Sequence, residues 1–323
     1  MAQAMMIQSF KPEVFVFVPS YNHALFIERC LKSIIGQTFQ PTKLLVIDDG
    51  SNDGSPQIIE KFLNSCPFPA ELLTRSNRGL CATLNEGFAQ SFGKYFAYLG
   101  SDDVWLPQFL ESRIKALESR PNAVLAFGHA FLIDENDRII DCTENWTTYT
   151  DGSILEMLLA GVVPASSSVV YRRTALENQR WNENSVLEDY ELYLKLSKNG
   201  EFAFDEMILS AWRQHGYNTS ADFAKMFDEW LAAQNRVAAE IGIGVPKLLR
   251  SQKKLKFNSA LDFIRRGEKL KAVEILSKNL SGASSFSTTA KIILRLLTPA
   301  VAENWYKTRK RAAQIKRYGT IKI

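Results

Sequence analysis

The sequence predicts an α/β fold in which a mostly parallel sheet is flanked by helices and followed by an all-helical extension. Short apolar runs rich in Val, Ile and Phe alternate with segments whose apolar residues recur at helical spacing. Acidic and other polar residues come directly after several of these runs. From residue 222 onward the pattern is almost wholly helical. We therefore expect an α/β domain over residues 1–221 and a helical extension over residues 222–323.

The amino-terminal part alternates four predicted strands with three predicted helices. Apolar runs predict strands at residues 14–18, 44–47, 70–74 and 95–99, with amphipathic helices between them. Such helical crossovers join parallel strands and are right-handed. In open sheets of this kind, ligands bind beyond the carboxyl ends of the strands.

Beyond residue 103 the alternation is less regular. Residues 188–196 predict a helix with acids in its first turn, which suits the helix dipole. The remaining segments predict further strands, two of them on either side of a turn at residues 134–137. These strands are expected at residues 123–128, 138–140, 164–171, 202–204 and 208–212.

The composition is that of a globular protein, with 46% hydrophobic and 23% charged residues. Four cysteines without metal-site spacing are expected to be reduced thiols of a cytosolic protein. The first ten residues have no long apolar segment of the kind that marks a signal peptide. No run reaches the ~20 apolar residues that a membrane span needs.

The net charge of +4 is divided unevenly along the chain. Residues 1–246 hold 20 Lys and Arg against 31 Asp and Glu, whereas residues 247–323 hold 19 against 4. The aromatic residues Trp305, Tyr306 and Tyr318 lie among these cations, which favours contact with an anionic membrane. No nucleic-acid recognition motif accompanies the charge, so nucleic acid is not the expected partner. The alternative is a basic helical segment that packs on the first domain.

Three acidic pairs lie at predicted strand ends or at a helix start: Asp48-Asp49, Asp102-Asp103 and Glu188-Asp189. Adjacent carboxylates repel each other unless a cation or an array of donors compensates them. Hard oxygen ligands favour Mg²⁺ or Mn²⁺, which also accept phosphate oxygens from a substrate. Asp102-Asp103 is therefore a candidate metal site, and the plain alternative is a turn that caps the next helix.

These pairs and their order along the chain resemble the family 2 glycosyltransferases, which are inverting, nucleotide-sugar-dependent enzymes of GT-A fold. The matching segments are Val18-Pro19-Ser20-Tyr21-Asn22, Asp48-Asp49-Gly50-Ser51, Asn77-Arg78-Gly79, Gly100-Ser101-Asp102-Asp103 and Glu188-Asp189-Tyr190. The resemblance covers roughly residues 12–220. It implies nucleotide-sugar contacts by Pro19, Ser20, Tyr21, Asn22, Asp48, Asp49, Asn77, Gly79, Asn85, Ser101, Asp102, Arg213 and His215.

The resemblance also implies the chemistry. Asp48 or Asp49 would accept a hydrogen bond from the base of UDP, and Asp102 and Asp103 would hold Mn²⁺ or Mg²⁺ against its diphosphate. Asp189 would be the general base that takes the proton of the acceptor hydroxyl, and Glu188 would orient the helix start or the acceptor. Relatives often carry an acid where this chain has Gly100, so which of Asp102 and Asp103 binds the metal stays open.

Two further contacts are expected from the same resemblance. Arg213 and His215 resemble a basic element that closes over the pyrophosphate, although a single histidine is often only structural. The segment 181–183, which begins with Trp181, is expected to line the acceptor pocket, because an aromatic face suits stacking on a sugar.

We expect a cytoplasmic enzyme that is bound peripherally to the inner face of the cytoplasmic membrane through its basic carboxyl-terminal segment. It would transfer a sugar from a UDP-sugar to a hydroxyl of a free or lipid-linked glycan, such as an O-antigen or capsule intermediate on polyprenyl diphosphate. One alternative is a nucleotidyltransferase, which would normally carry a Gly-rich basic loop where this chain has Pro19-Ser20-Tyr21-Asn22. Another is a non-catalytic sugar-nucleotide-binding protein of the same fold.

Overall fold

The computed structural model describes residues 12–216, 222–283 and 286–323. Within these residues, one mixed sheet of nine strands forms the centre of the first domain. The strands are β1 (Val14–Ser20), β2 (Lys43–Asp48), β3 (Ala70–Thr74), β4 (Tyr95–Tyr98), β5 (Val104–Trp105), β6 (Ala123–Ile133), β7 (Ile139–Cys142), β8 (Val170–Arg172) and β9 (Glu201–Arg213). They lie in the order β3-β2-β1-β4-β8-β6-β9-β5, and β7 pairs with β6.

Helices cover both faces of the sheet and make up nearly all of the chain after residue 222. They are α1 (Ile27–Ile35), α2 (Ser55–Leu63), α3 (Leu80–Ala89), α4 (Phe109–Glu118), α5 (Leu155–Leu159), α6 (Glu188–Asn199), α7 (Phe223–Val237), α8 (Val245–Arg265), α9 (Lys269–Asn279), α10 (Phe286–Leu297) and α11 (Ala300–Tyr318). The predicted fold class, a sheet flanked by helices with a helical carboxyl-terminal region, is confirmed.

The half of the sheet made of β3, β2, β1 and β4 is entirely parallel. Its central strand β1 is buried along its whole length. Phe15 and Phe17 pack with α3 on one face, whereas Val14, Val16 and Val18 pack with α1 on the other. A strand buried on both faces reads as a continuous apolar run, which is why β1, β2 and β4 were predictable.

The other half is mixed, and it holds one correction to the prediction. Residues 202–204 and 208–212 were expected to be two strands, but β9 is one continuous strand that pairs in parallel with β6. Between the two predicted segments the pairing with β6 shifts register, and there Arg113 is buried and pairs with Asp205. A second guanidinium nitrogen of Arg113 donates to Met207 O at 3.2 Å.

The two-residue strand β5 escaped prediction because two apolar residues carry no periodicity. It pairs antiparallel with β9, Val104 opposite Ala211. This pairing brings the segment before β5 to the carboxyl end of β9.

Helix α7 packs into the first domain. Ala233 and Val237 belong to the core cluster that covers one face of the sheet. The amide of Gln234 donates to Leu159 O at 3.1 Å, and Arg236 binds Glu191 at 2.8 Å. The predicted boundary at residues 221–222 adjoins residues 217–221, which lie outside the described residues, and it stays a prediction.

Helix α11 returns to the first domain, and part of its charge is neutralised there. Lys310 binds Asp141 at 2.6 Å, and Arg311 binds Asp134 at 2.9 Å. Beyond the helix, Ile321 is buried and its N–H donates to Asp137 O at 2.9 Å. The alternative prediction, that the basic segment packs on the first domain, therefore holds for the carboxyl-terminal part of α11. No helix in the described parts of the chain has an apolar stretch long enough to cross a bilayer.

Candidate active site

The strands β1, β2 and β4 end side by side at one edge of the sheet. Ser20, the last residue of β1, lies opposite Asp48, and its hydroxyl donates to Asp48 Oδ2 at 3.1 Å. On the other side of β1, Phe17 is paired with Tyr98, and Leu99 N donates to Phe17 O at 3.0 Å. The polar loops that follow these strands therefore meet at this edge, as the parallel arrangement predicts.

The first loop is bound to the second by hydrogen bonds from its backbone. Asn22 has a left-handed backbone with φ of 53°, which asparagine tolerates. Its N–H donates to Ser51 Oγ at 2.8 Å, and its Oδ1 accepts from Asn52 N at 2.9 Å. His23 N donates in turn to Ser55 Oγ at 3.1 Å. The loop thus presents one large exposed ring, Tyr21, whose exposed fraction is 46%.

Both acids of Asp48-Asp49 serve the loops around them. Asp48 accepts from Ser51 N at 2.8 Å and from Ser51 Oγ at 2.7 Å. Asp49 pairs with Arg75 and accepts from the backbone N–H groups of Arg78 and Gly79 at 2.9 and 2.8 Å. Each carboxylate has further lone pairs, so the predicted contacts with a nucleotide base stay predictions.

The loop after β3 passes so close to the loop after β2 that residue 50 must be glycine. Gly50 has φ of +84°, and a Cβ there would lie 2.9 Å from Asn77 N and 3.2 Å from Arg75 O. Gly54 has nearly the same φ, +90°, but a Cβ there would meet nothing within 4 Å. A comparison of Gly50 with Gly54 therefore distinguishes the cost of backbone strain from the cost of a steric clash.

We expect Gly50→Ala to be clearly more destabilising than Gly54→Ala. The second change costs about 1 kcal/mol for the left-handed backbone, and the first adds about 1–3 kcal/mol for the clash. Urea unfolding of both variants measures the difference. Equal losses would show that the two loops are not packed as described.

A carboxylate between two imidazoles lies at the end of β4. Asp102 Oδ2 lies 2.9 Å from His215 Nε2, and Asp102 Oδ1 lies 3.9 Å from His23 Nδ1. Burial would raise the pKa of Asp102, but the hydrogen bond with His215 and the charge of His23 outweigh it and lower the pKa. One ligand atom from each of these three residues lies within 4.8 Å of the others, so the group could hold a metal ion. Carboxylate and imidazole are both ordinary metal ligands.

Asp103 is oriented differently from its neighbour. Its Oδ1 accepts from Arg213 N at 2.8 Å, and its side chain is buried. Burial, and then repulsion by Asp102, raise the pKa of Asp103 well above its ordinary value. The predicted pair is thus split: Asp102 faces the two histidines, and Asp103 binds the backbone at the end of β9.

Arg213 supports this group from inside the protein. Its guanidinium donates to Asp102 O at 2.7 Å and to Asp134 O at 2.8 Å, and it pairs with Asp137 at 2.6 Å. Its side chain is 1% exposed and lies over the ring of Phe26 at 4.9 Å. The predicted contact of Arg213 with a diphosphate stays a prediction, since a guanidinium has five N–H donors.

Glu188 and Asp189 form the first turn of α6 and face the same edge of the sheet. Both keep some exposure to solvent, yet the surrounding protein raises the pKa of each. For Glu188, burial is the main cause and the charge of Asp102 is another. For Asp189, burial comes first and the charge of Glu188 second, which together raise the pKa well above its ordinary value. The charge of Asp102 raises the pKa of Glu188, and the charge of Glu188 raises the pKa of Asp103, so the two acidic pairs are close enough to interact.

Two predicted contacts differ from what the structure contains. Asn85 was expected at the nucleotide sugar, but its Nδ2 donates to Trp181 O at 2.9 Å and its Oδ1 accepts from Trp181 N at 2.9 Å. The ring of Trp181 was expected to line an acceptor pocket, but it is 2% exposed and packs against Phe88, Phe96 and Tyr98. The prediction for Trp181 is wrong because an indole enclosed by aromatic rings has no free face for a sugar.

The remaining predicted residues lie at the edge. Pro19 and Ser20 are buried at the end of β1, and the Ser101 hydroxyl lies 2.7 Å from His23 Nδ1. Asn77 is exposed in the loop after β3, and Gly79 comes just before α3. The sequence prediction missed His23, although it follows directly on Pro19-Ser20-Tyr21-Asn22.

Comparison with known proteins adds independent evidence. Residues 15–179 match the family model described as Glycosyl transferase family 2. An uncharacterized glycosyltransferase of Nostoc sp. is 30% identical over 174 residues, which are 51% of this chain and 52% of that protein. The chondroitin synthase of Pasteurella multocida is 26% identical over 209 residues, 65% of this chain and 21% of that protein. This chain therefore spans about half of the first relative and about a fifth of the second.

Solved structures resemble the whole chain in fold. A mannosyltransferase from Pyrobaculum calidifontis, in complex with GDP-Man and Mn²⁺, has a TM-score of 0.61 at 17% identity over 96% of this chain and 88% of that one. Staphylococcus aureus TarS 1-349 in complex with UDP-GlcNAc has a TM-score of 0.60 at 15% identity over 96% of this chain and 93% of that one. At such identities the likeness shows the fold alone, and it confirms the predicted fold class.

Proposed function

The chain belongs to glycosyl transferase family 2 and is a glycosyltransferase, and from this premise we propose that it transfers a sugar from a UDP-sugar to a hydroxyl of a glycan acceptor with inversion at the sugar carbon. The observation that carries the proposal is the meeting of Asp102 and His215 with Glu188 and Asp189 at one edge of the sheet. A site for the leaving diphosphate and a site for a base would then lie on two sides of one reacting carbon.

The first loop supports the placement of the nucleotide. Tyr21 is exposed beside Asp48 and Asp49, so its ring could stack on a base whose N–H groups face these carboxylates. The loops after β1, β2 and β3 are bound to one another before any ligand arrives. Preformed loops reduce the ordering cost of binding. The two solved structures of similar fold are complexes with GDP-Man and UDP-GlcNAc, which supports a sugar nucleotide as donor.

The donor set around Asp102 fits a divalent ion. Its ligand atoms, one from each of three residues, lie within 4.8 Å of one another. Bound there, Mn²⁺ or Mg²⁺ would neutralise the charge that develops on the departing diphosphate. Arg213 holds the backbone oxygen of Asp102 in place, and its own N–H fixes Asp103.

Asp189 would take the proton of the acceptor hydroxyl. Its raised pKa makes it a stronger base than an ordinary aspartate once it is ionised. The backbone N–H groups at the start of α6 stabilise that ionised form. Inversion follows from a single displacement, in which the acceptor oxygen attacks on the face opposite the diphosphate and no covalent intermediate with the enzyme forms.

A lipid-linked acceptor would suit a second feature, an apolar row on α10 and α11 which we call the α10–α11 face. It consists of Leu294, Leu297, Val301 and Trp305, whose exposed fractions are 68%, 77%, 81% and 60%. Arg309 lies over the ring of Trp305 at 4.6 Å. Exposed apolar and aromatic residues beside cations suit the headgroup region of an anionic bilayer, so we propose peripheral binding to the cytoplasmic face of the membrane through this face.

We expect Leu297→Ser combined with Trp305→Ser to abolish most binding to anionic vesicles while leaving the fold intact. Met207→Ser, an exposed apolar residue on β9 (47% exposed), is the matched control and should bind as the unchanged protein does. Flotation with vesicles at rising ionic strength measures both, because salt weakens the electrostatic part. Removal of residues 288–323 is a poorer test, since it would also remove the buried contact of Ile321. Equal flotation of the double variant and the control would rule out the α10–α11 face.

The function itself is tested with a panel of UDP- and GDP-sugars and glycan acceptors. We expect nucleoside diphosphate release that depends on the acceptor, with a UDP-sugar preferred, and a product whose anomeric configuration is opposite to that of the donor. Retention of configuration, or preference for another nucleotide, would overturn the corresponding part of the proposal.

A further inference from the structure

The turn after β6, residues 134–137, joins Arg213 to parts of the chain that are distant in sequence. Asp137 Oδ1 accepts from Arg213 at 2.6 Å, and Asp137 Oδ2 accepts from Nε of Arg29 in α1 at 2.8 Å. We propose that Asp137 is a positioning residue for sugar transfer, which acts through Arg213, and that residues 319–321 hold Asp137 in this role. This role rests on the proposed function and extends its machinery to residues outside the substrate site.

Arg213 is the residue through which Asp137 would act. Its side chain is 1% exposed, its Nε donates to Asp102 O at 2.7 Å, and its backbone N–H donates to Asp103 Oδ1 at 2.8 Å. A buried guanidinium that loses a carboxylate partner keeps a poorly compensated charge, which is costly. Without the charge of Asp137 the guanidinium is therefore expected to shift, and the turn that carries Asp102 and Asp103 would lose its support.

Residues 319–321, which we call the 319–321 segment, lie antiparallel to the residues that begin β7. The first residue of the segment accepts from Ile139 N at 2.9 Å, the middle residue bridges Arg138, and the last donates its N–H to Asp137 O at 2.9 Å. These bonds fix the backbone at the point where the Asp137 side chain leaves it.

Arg29 binds the 319–321 segment and Asp137 at the same time. Besides its bond to the Asp137 carboxylate, it donates through Nη2 to Ile321 O at 2.9 Å. Ile321 is 5% exposed and belongs to an apolar cluster with Val104 and Ala211. These two residues adjoin the acidic pair after β4 and the carboxyl end of β9. The segment therefore packs with both of the chain stretches that the buried guanidinium joins.

Asp137→Asn in the full chain tests the role of Asp137 with little change of shape. Asp137 has a left-handed backbone with φ of 60°, which asparagine also tolerates, so the variant adds no backbone strain. One carboxylate oxygen becomes an NH₂ group, which cannot accept a hydrogen bond and carries no charge. We expect kcat/KM for the sugar nucleotide, measured with a soluble acceptor, to fall by about 10–10²-fold, because a misplacement of about 1 Å has an effect of this order.

Lys310→Gln is the matched control. It removes another ion pair beside the 319–321 segment, that of Lys310 with Asp141 at 2.6 Å, which makes no bond to Arg213. Its kcat/KM should equal that of the unchanged protein. Both variants are compared at a temperature at which circular dichroism shows them folded. An unchanged kcat/KM in Asp137→Asn would overturn the role of Asp137.

A double-mutant cycle with Arg213→Lys separates positioning from a general loss of stability. Lysine keeps the charge but not the planar set of donors, so the support of Asp102 O is already lost in that variant. If Asp137 acts through Arg213, Asp137→Asn should lower kcat/KM much less in the Arg213→Lys background than in the unchanged protein. Full additivity of the two losses would overturn the proposal.

Ile321→Ser tests the 319–321 segment itself. The change removes a buried apolar side chain and leaves the bonds of Asp137 to both arginines in place, so its effect on transfer must come from loosening of the segment. We expect kcat/KM to fall, though less than in Asp137→Asn. An unchanged kcat/KM would overturn the role of the segment.

Hydrogen exchange of the unliganded full chain tests the same positioning without any substrate. Amides of residues 100–105 should exchange faster in Asp137→Asn and in Ile321→Ser than in the unchanged protein or in Lys310→Gln. Equal exchange in all four proteins would overturn the positioning by Asp137. Faster exchange as expected, with no transfer from any sugar nucleotide by the unchanged protein, would instead contradict the proposed function and support the connection from Asp137 to the acidic pair.

Discussion

Asp189→Asn is expected to lower kcat by a factor on the order of 10²–10⁴, the usual effect of removing a general base. The change keeps the shape of the side chain and removes its basicity. Asp189 belongs to the first turn of α6, and its ordinary contacts are with backbone N–H groups of that turn. Binding of UDP, measured by calorimetric titration, should therefore change little.

Asp228→Asn is the matched control, because Asp228 is an exposed residue of α7. It should leave kcat unchanged. If Asp189→Asn abolished UDP binding but kept kcat at saturating donor, Asp189 would be a donor-binding residue and the assignment of the base would be wrong.

The same assignment predicts the pH profile of the unchanged enzyme. The base is active only when ionised, so kcat/KM should rise with pH through the pKa of the Glu188–Asp189 pair. Because burial raises both pKa values, this acid limb should lie above the ordinary carboxylate range near pH 4. In Asp189→Asn the limb should shift or disappear, which a merely structural role would not produce.

Asp102→Asn is expected to cost about 10²–10³ in kcat/KM, because the loss of several kcal/mol of metal-assisted charge stabilisation corresponds to such a factor. In the unchanged enzyme, chelator should lower kcat/KM by a similar factor, and added Mn²⁺ should restore kcat/KM. In the variant, added Mn²⁺ should not restore kcat/KM. Asp103→Asn is the informative comparison, since Asp103 binds Arg213 N instead of facing the histidines.

Mn²⁺ affinity separates the two acids. Asp102→Asn should weaken Mn²⁺ binding strongly, and Asp103→Asn should weaken it much less, because an asparagine oxygen can still accept from Arg213 N. The opposite order of Mn²⁺ affinities would make Asp103 the ligand and contradict the arrangement around Asp102.

The sequence predicted the parallel half of the sheet well for a physical reason. Strands buried on both faces, such as β1 and β2, are continuous apolar runs bounded by turn residues. The carboxyl ends of parallel strands lie at one edge of the sheet, so the acids that follow these strands can be predicted to lie near one another. Asp102 and Glu188 are 86 positions apart in the sequence, yet the prediction that both serve one site agrees with their electrostatic interaction.

The features that sequence reasoning missed depend on contacts distant along the chain. The pairing of β5 with β9 brings Asp102 and Asp103 to Arg213 and His215. A strand of two apolar residues is too short to be predicted from the sequence, so its pairing could not be predicted either. Trp181 was expected to stack on a sugar. Its ring is enclosed by aromatic residues that are distant along the chain, and the local sequence does not reveal these contacts. His23 becomes a candidate ligand only when the loop after β1 is seen beside the end of β4.

The location of a metal ion tests the central claim most directly, namely that this edge of the sheet is the transfer site. Crystals grown with Mn²⁺ and UDP should give an anomalous scattering peak at the manganese edge that lies about 2.0–2.4 Å from ligand atoms of Asp102 and His215. The diphosphate should contact the same ion, with Asp189 on the opposite side of the space for the sugar. A manganese peak elsewhere, or UDP bound away from Tyr21 and Asp102, would contradict the account.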